Sequence, residues 1–137
     1  AVGIHMALSP QADLSTSPRW ARIEGTFGED PVHVSRMVGA YVEGIQGGRD
    51  GLNATGVAAV VKHWVGYGAS RDGWDGHNYY GRFSAFPGGA FQAHVDAFAG
   101  AFEVGVSGVM PTYNILQGAS VRGQPTEPVG GGFPACC

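Results

Sequence analysis

The 137-residue chain is 44% hydrophobic, 14% charged and 11% aromatic, the composition of a folded globular polypeptide with enough apolar side chains to bury a core. A formal net charge of -3 with eight Lys and Arg, none of them clustered, argues against nucleic acid and against an anionic membrane surface as partners. No apolar run approaches the roughly 18 residues of a membrane helix, and no basic-then-apolar leader opens the chain.

The 24 glycines are spread singly or in pairs, so they mark tight turns and close approaches instead of a linker. Cys136 and Cys137 are the last two residues. A disulfide between neighbours would be a strained ring, so they carry no information about compartment, and the expectation is a frayed end.

Taken in chain order, Ile4, Met6 and Leu8 alternate before Ser9-Pro10, which predicts a short strand closed by the proline. A long polar loop follows to Asp30, of the kind that often carries function. From Pro31 to Gln46, apolar residues at Val34, Met37, Val38, Tyr41, Val42 and Ile45 recur at spacings of three and four, predicting an amphipathic helix. Asp30 stands as its N-cap, Pro31 at its first position, and Gly47-Gly48 supply the stop.

The run "GVAAVVKHWV" lacks the polar alternation of a half-solvated antiparallel strand and predicts a parallel strand covered on both faces. An aromatic and charged loop spans about Gly66 to Gly89. One helix is expected over "AFQAHVDAFAGAFEVG", with Phe91, Val95, Phe98 and Phe102 on one stripe, and a third strand over "VSGVMPTYN". This alternation of strand and helix is that of a parallel α/β sheet. In such folds the ligand site lies at the carboxyl ends of the strands, so three strand ends point to one site. A complete (β/α)8 barrel needs roughly 250 residues, and this length suits about half of one.

The residues at those ends carry the available chemistry. Asp13, Arg19, Trp20, Arg22 and Glu24 follow the first strand; an Arg fork suits vicinal hydroxyls or a carboxylate, and an indole face suits a sugar ring. Against this stands pairing of Arg19 and Arg22 with Glu24, Glu29 or Asp30 to hold the loop. Lys62-His63 ends the second strand. Successive strand residues point to opposite sides, so both face the site only if the strand bends; otherwise they are a snorkelling Lys and a satisfied core His. Tyr113-Asn114 ends the third strand with a phenol and an amide.

The loop "DGWDGHNYYGR" interleaves aromatic faces with carboxylates and amides, as a carbohydrate lid would, with Trp74, Asp75 and His77 as its candidate contacts. An ordinary loop whose aromatics cap the fold edge has equal standing. The histidines and cysteines lack metal-ligand spacing, and no phosphate-cradling glycine motif follows a strand. No cofactor is therefore expected.

Three blocks, "SPRWARIEGTFGEDP", "VVKHWVGYGAS" and "GVMPTYN", together resemble family 3 glycoside hydrolases, the β-glucosidase group, in order and separation. The resemblance covers about Ala7 to Gly118. It implies that the chain is part of the family's N-terminal (β/α)8-type barrel domain, with residues from about 119 to 137 a loop or tail. It also implies a parent enzyme that hydrolyses terminal β-linked glucose with retention, through two carboxyl groups roughly 5 to 5.5 Å apart. Arg22, Lys62 and His63 would then bind glucose hydroxyls and Tyr113 would lie beside the nucleophile.

The family commonly has Asp where Ser17 stands, Gly at Ala21, Phe at Trp64 and Ser at Thr112. The family's nucleophile segment, a Ser-Asp-Trp-like strand end, does not occur in this sequence, nor does its later acid/base. Truncation or a frameshift is the expected explanation for the tail, and the chain alone is expected to be inactive. A non-catalytic sugar-binding module is the alternative, and a barrel half that dimerises is a third. Linkage preference, compartment and oligomeric state stay open.

Overall fold

The structure is a computed structural model that describes residues 3–121 and 124–125. Strand β1 spans Met6–Ala7, helix α1 Pro31–Gln46, β2 Ala58–Trp64 and β3 Phe83–Ala85; α2 (Phe91–Asp96), α3 (Ala99–Glu103), β4 (Gly108–Pro111) and β5 (Ile115–Gln117) follow. Strands β1, β2 and β4 form a parallel sheet in the order β1-β2-β4, so the parallel α/β reading holds, and the Val-rich strand lies at the centre.

Helix α1 has the predicted bounds and caps. The Asp30 carboxylate accepts from the His33 N–H at 2.8 Å, Pro31 occupies the first turn, and Gly47 ends the helix at φ 82°, a left-handed conformation in which glycine carries no Cβ penalty. Its Val34, Val38 and Val42 are wholly buried and pack with Ala59 and Val61 of β2 and Phe98 between α2 and α3; each such side chain contributes about 1.5–3 kcal/mol on leaving water. Met37 and Tyr41, expected on the same apolar face, lie at its rim about 40% exposed.

The predicted single helix after the lid is two, α2 and α3. At the joint Phe98 N–H turns to Val95 O at 3.1 Å, the tighter i→i+3 pattern, which lets Phe98 enter the core while Phe102 stays 45% exposed. Close approach of α3 to α1 is made by glycines: a Cβ on Gly100 would strike the Ser35 carbonyl oxygen, and the Gly100 N–H donates to Ser35 Oγ at 2.8 Å.

Two further differences concern short segments. Strand β3 sits inside the expected lid loop and pairs in parallel with β5, Phe83 opposite Ile115; a three-residue strand has too few residues to show a period. In the expected tail, Ser120–Val121 (β6) and Gln124–Pro125 (β7) pair antiparallel, while the cysteine pair lies outside the described residues.

Nor does Pro10 end the pairing. Past the cis Ser9–Pro10 peptide the chain keeps company with β2: Val60 N–H donates to Ser9 O at 3.1 Å, Lys62 N–H to Pro10 O at 3.0 Å, and Ala12 N–H to Lys62 O at 2.7 Å. The start of the long loop is thereby drawn into the core, with Ala12, Asp13 and Leu14 buried.

Candidate functional site

The site is built where β2 ends. The ladder to β4 skips one residue there, Lys62 pairing with Met110 and Trp64 with Pro111, and the Lys62–His63 peptide is cis. The ladder is therefore irregular between Lys62 and Trp64. Lys62 is half-buried and His63 is 7% exposed, and each meets a group delivered by the loop after β1.

On the Lys62 side, burial and the nearby Arg22 guanidinium hold the ammonium below its usual range, with Asp13 opposing them. Arg22 itself donates to Gln11 Oε1 at 3.4 Å, and Gln11 Nε2 returns a bond to the Arg22 carbonyl at 2.9 Å. Among the described residues no ion pair joins Arg19 or Arg22 to Glu24, Glu29 or Asp30. Arg22 is therefore held by an amide and, among the described residues, has no carboxylate ion-pair partner.

On the His63 side, Asp13 is 1% exposed and its Oδ2 lies 2.8 Å from His63 Nδ1 and 3.3 Å from the His63 backbone N. The His63 ring stands edge-on to Tyr67 at 4.9 Å. Tyr67 in turn meets Trp20 at 5.0 Å and His77 at 6.1 Å, and His77 meets Tyr113 at 5.3 Å. A chain of ring contacts thus runs from His63 near the end of β2 through Tyr67 and His77 to Tyr113, two residues past β4, and Lys62 is not part of it.

The indole expected to offer a sugar face does not. Trp20 is 1% exposed, packed under Tyr67 as core. Trp74 is the accessible indole, 54% exposed and edge-on to Tyr80 at 5.3 Å. Asn114 is also occupied by the protein, donating to Ser70 Oγ at 3.1 Å and to Gly81 O at 3.2 Å; it ties the end of the third strand to the lid.

The loop that follows β2 has a defined centre. Asp75 Oδ1 accepts from the Tyr67 hydroxyl at 2.7 Å and from the His77 N–H at 3.0 Å, and lies 2.7 Å from His77 Nδ1. Burial pushes the Asp75 carboxyl up, but the His77 backbone and ring and the Tyr67 hydroxyl together outweigh it and bring it down to about 2. The Tyr67 phenol is pushed up, first by its burial and then by Asp75.

A depressed carboxyl stabilises its contacts above its ordinary value of 3.8 and loses that contribution as pH falls through about 2. A carbon-NMR titration should therefore place the Asp75 midpoint near 2, and His77→Ala should move it up. A wild-type midpoint at the ordinary value would refute this account of the lid.

The described residues line at least two clefts. One of about 280 Å³ is lined by Thr16, Ser70, Asp72 and His94 among others, and one of about 250 Å³ lies between α1 and α3. Neither contains Arg22, Lys62, His63 or Tyr113.

Residues 1–127 match the family model for the glycosyl hydrolase family 3 N terminal domain. The chain belongs to glycosyl hydrolase family 3. It is 59% identical over 133 residues to a periplasmic beta-glucosidase/beta-xylosidase of Dickeya chrysanthemi, covering 97% of this chain and 20% of that protein. It is 43% identical over 114 residues to beta-glucosidase C of Emericella nidulans, covering 83% and 18%.

Among solved structures it matches a beta-glucosidase from Listeria innocua in complex with glucose, with TM-score 0.72 and 32% identity over 83% of this chain and 16% of that one. The parallel strands and their helices are thus part of a (β/α)8-type barrel, as the resemblance implied. The chain spans about a fifth of the length of the curated relatives it matches, 20% and 18% for the two named.

Sequence reasoning named Arg22, Lys62, His63 and Tyr113 but missed the groups that hold them. Gln11 and Tyr67 sit in unremarkable local sequence, and their parts depend on contacts between separate loops.

Proposed function

We propose that this family 3 chain forms part of the glucose-binding wall of an enzyme that hydrolyses terminal β-glucosidic bonds of glucosides or oligosaccharides with retention. Arg22, Lys62 and His63 bind sugar hydroxyls, Tyr113 lies beside the parent's nucleophile, and Trp74, Asp75 and His77 of the loop after β2 contact the substrate as a lid. The observation that carries the reading is the convergence of Lys62, His63 and Arg22 at the bend of β2. There the Lys62 ammonium is half-buried beside the Arg22 guanidinium, which among the described residues has no carboxylate ion-pair partner, so both donors stay available to a neutral polyhydroxylated ring.

In this reading the chain supplies contacts that strengthen in the transition state, while the nucleophile and the acid/base lie elsewhere in the parent. Residues 1–137 are accordingly a part of the barrel domain. The relatives named beta-glucosidases, and the Listeria neighbour bound to glucose, support glucose as the ligand.

Titration with glucose, followed by Trp fluorescence and NMR shifts, tests the wall. Binding is expected, and Lys62→Ala should weaken it about tenfold, the loss of one charge-assisted hydrogen bond. No binding at millimolar glucose, or binding indifferent to Lys62→Ala, would overturn the assignment. An aryl β-glucoside tests the division of labour: turnover by the purified chain that survives substitution of Asp72 and Asp75 would show that the cutting groups are present after all.

A further inference from the structure

We infer that Asp13 is a positioning residue that fixes the ring of His63 with its hydrogen on Nδ1 and presents Nε2 as an acceptor toward solvent at the end of β2. The inference deepens the sugar-site reading and rests on it for the identity of what Nε2 meets.

Asp13 is buried to 1% exposure and comes from the loop after β1, fifty positions before His63 in the chain. One of its oxygens, Oδ2, takes both the His63 backbone N–H at 3.3 Å and the ring Nδ1 at 2.8 Å. A carboxylate can only accept, so the ring must bring the hydrogen on Nδ1. In a neutral imidazole that leaves Nε2 with a lone pair. The backbone bond adds direction: with N–H and Nδ1–H converging on one oxygen, the ring cannot flip without losing a contact to a buried carboxylate, and a buried acceptor left unmet is costly.

Nε2 has no partner among the described residues, yet it is not one of the buried atoms sealed from solvent without a partner; those are Asp13 Oδ1, Trp20 Nε1, His94 Nδ1 and Gln117 Oε1. It therefore keeps contact with solvent. The edge-on Tyr67 ring, 4.9 Å away, packs the imidazole laterally. Lys62 beside it has an ammonium that can only donate. The bend thus offers one donor and one acceptor in adjacent positions, a pairing that reads the oxygen of one hydroxyl and the hydrogen of another.

The opposite tautomer would offer two donors and no acceptor. The other imidazole near this carboxylate is His94, buried on α2, whose charged form burial disfavours and Asp13 favours. It makes no hydrogen bond to Asp13, so His94→Ala serves as a control that should leave the His63 ring unchanged.

Nitrogen-15 NMR of the imidazoles in the labelled chain, above the pH range in which histidines titrate, tests the inference, with His63→Gln identifying the signals. The expected wild-type result is a protonated Nδ1 and an unprotonated Nε2 for His63. Asp13→Asn, whose carbonyl can take the same place, should retain that state, while Asp13→Ala should mix both tautomers and weaken glucose binding about tenfold. A protonated Nε2 in the neutral wild-type ring, or an unchanged ring in a folded Asp13→Ala, overturns the inference. Addition of glucose separates it from the reading beneath it: the expected tautomer with an Nε2 signal indifferent to glucose would uphold Asp13 as the positioning group and sink the sugar site.

Discussion

Gln46→Ala is expected to be among the most damaging single changes in this chain. Gln46 is the last residue of α1 and is fully buried. Its Oε1 accepts from Ala59 N at 3.2 Å, Ser107 N at 2.9 Å and Ser107 Oγ at 2.7 Å, and its Nε2 donates to Gly105 O at 3.0 Å. One amide thus joins the end of α1 to the start of β2 and to the turn that begins β4. Truncation strands two backbone N–H groups and a carbonyl at about 1–3 kcal/mol each when buried, besides leaving a cavity.

A loss of about 3 kcal/mol or more, seen as a fall in Tm of roughly 10 °C, follows for a chain of this size. Gln46→Met separates the causes, since it restores volume without the bonds. It should remain strongly destabilised, and wild-type stability in that variant would show that packing, not the amide, is what matters.

Gly68→Ala is expected to damage both fold and site. A Cβ on Gly68 would fall on the Leu14 carbonyl oxygen, a backbone atom that cannot swing aside. The Gly68 carbonyl is meanwhile held by Thr16 Oγ1 at 2.6 Å. The loop after β2 and the loop after β1 are therefore in contact at this glycine, and Asp13 is the neighbour of the residue that would be pushed.

Overpacking of this kind costs about 3 kcal/mol where nothing can yield. The prediction is a large drop in stability by urea unfolding, together with a disturbed His63 resonance. Gly44→Ala is the contrasting control, because its Cβ meets nothing within 4 Å on α1. It should raise stability by about 0.5–1 kcal/mol through the helix preference of alanine. Equal effects at the two positions would mean that the close approach at Gly68 is not real.

Local patterns in the sequence determined much of this protein. Helix α1 was legible to the residue, because Asp30, Pro31, the recurring valines and Gly47 all act within a few positions of the chain. The buried parallel strand β2 was legible from its unbroken valines, and family membership from three blocks in family order, the same blocks that make Arg22, Lys62, His63 and Tyr113 the candidates proposed for the site.

What the tertiary structure alone decided were matters of long-range contact. Trp20 became core because Tyr67, from another loop, lies against it. Pro10 failed to end the pairing because β2 supplies donors beside it. The helix over 90–105 divided where Phe98 had to reach the valines of α1. Asp13 and Gln46 gained their weight from partners 50 and 61 positions away, and neither propensity nor periodicity carries information across such distances, since both report only what adjacent residues do to one another.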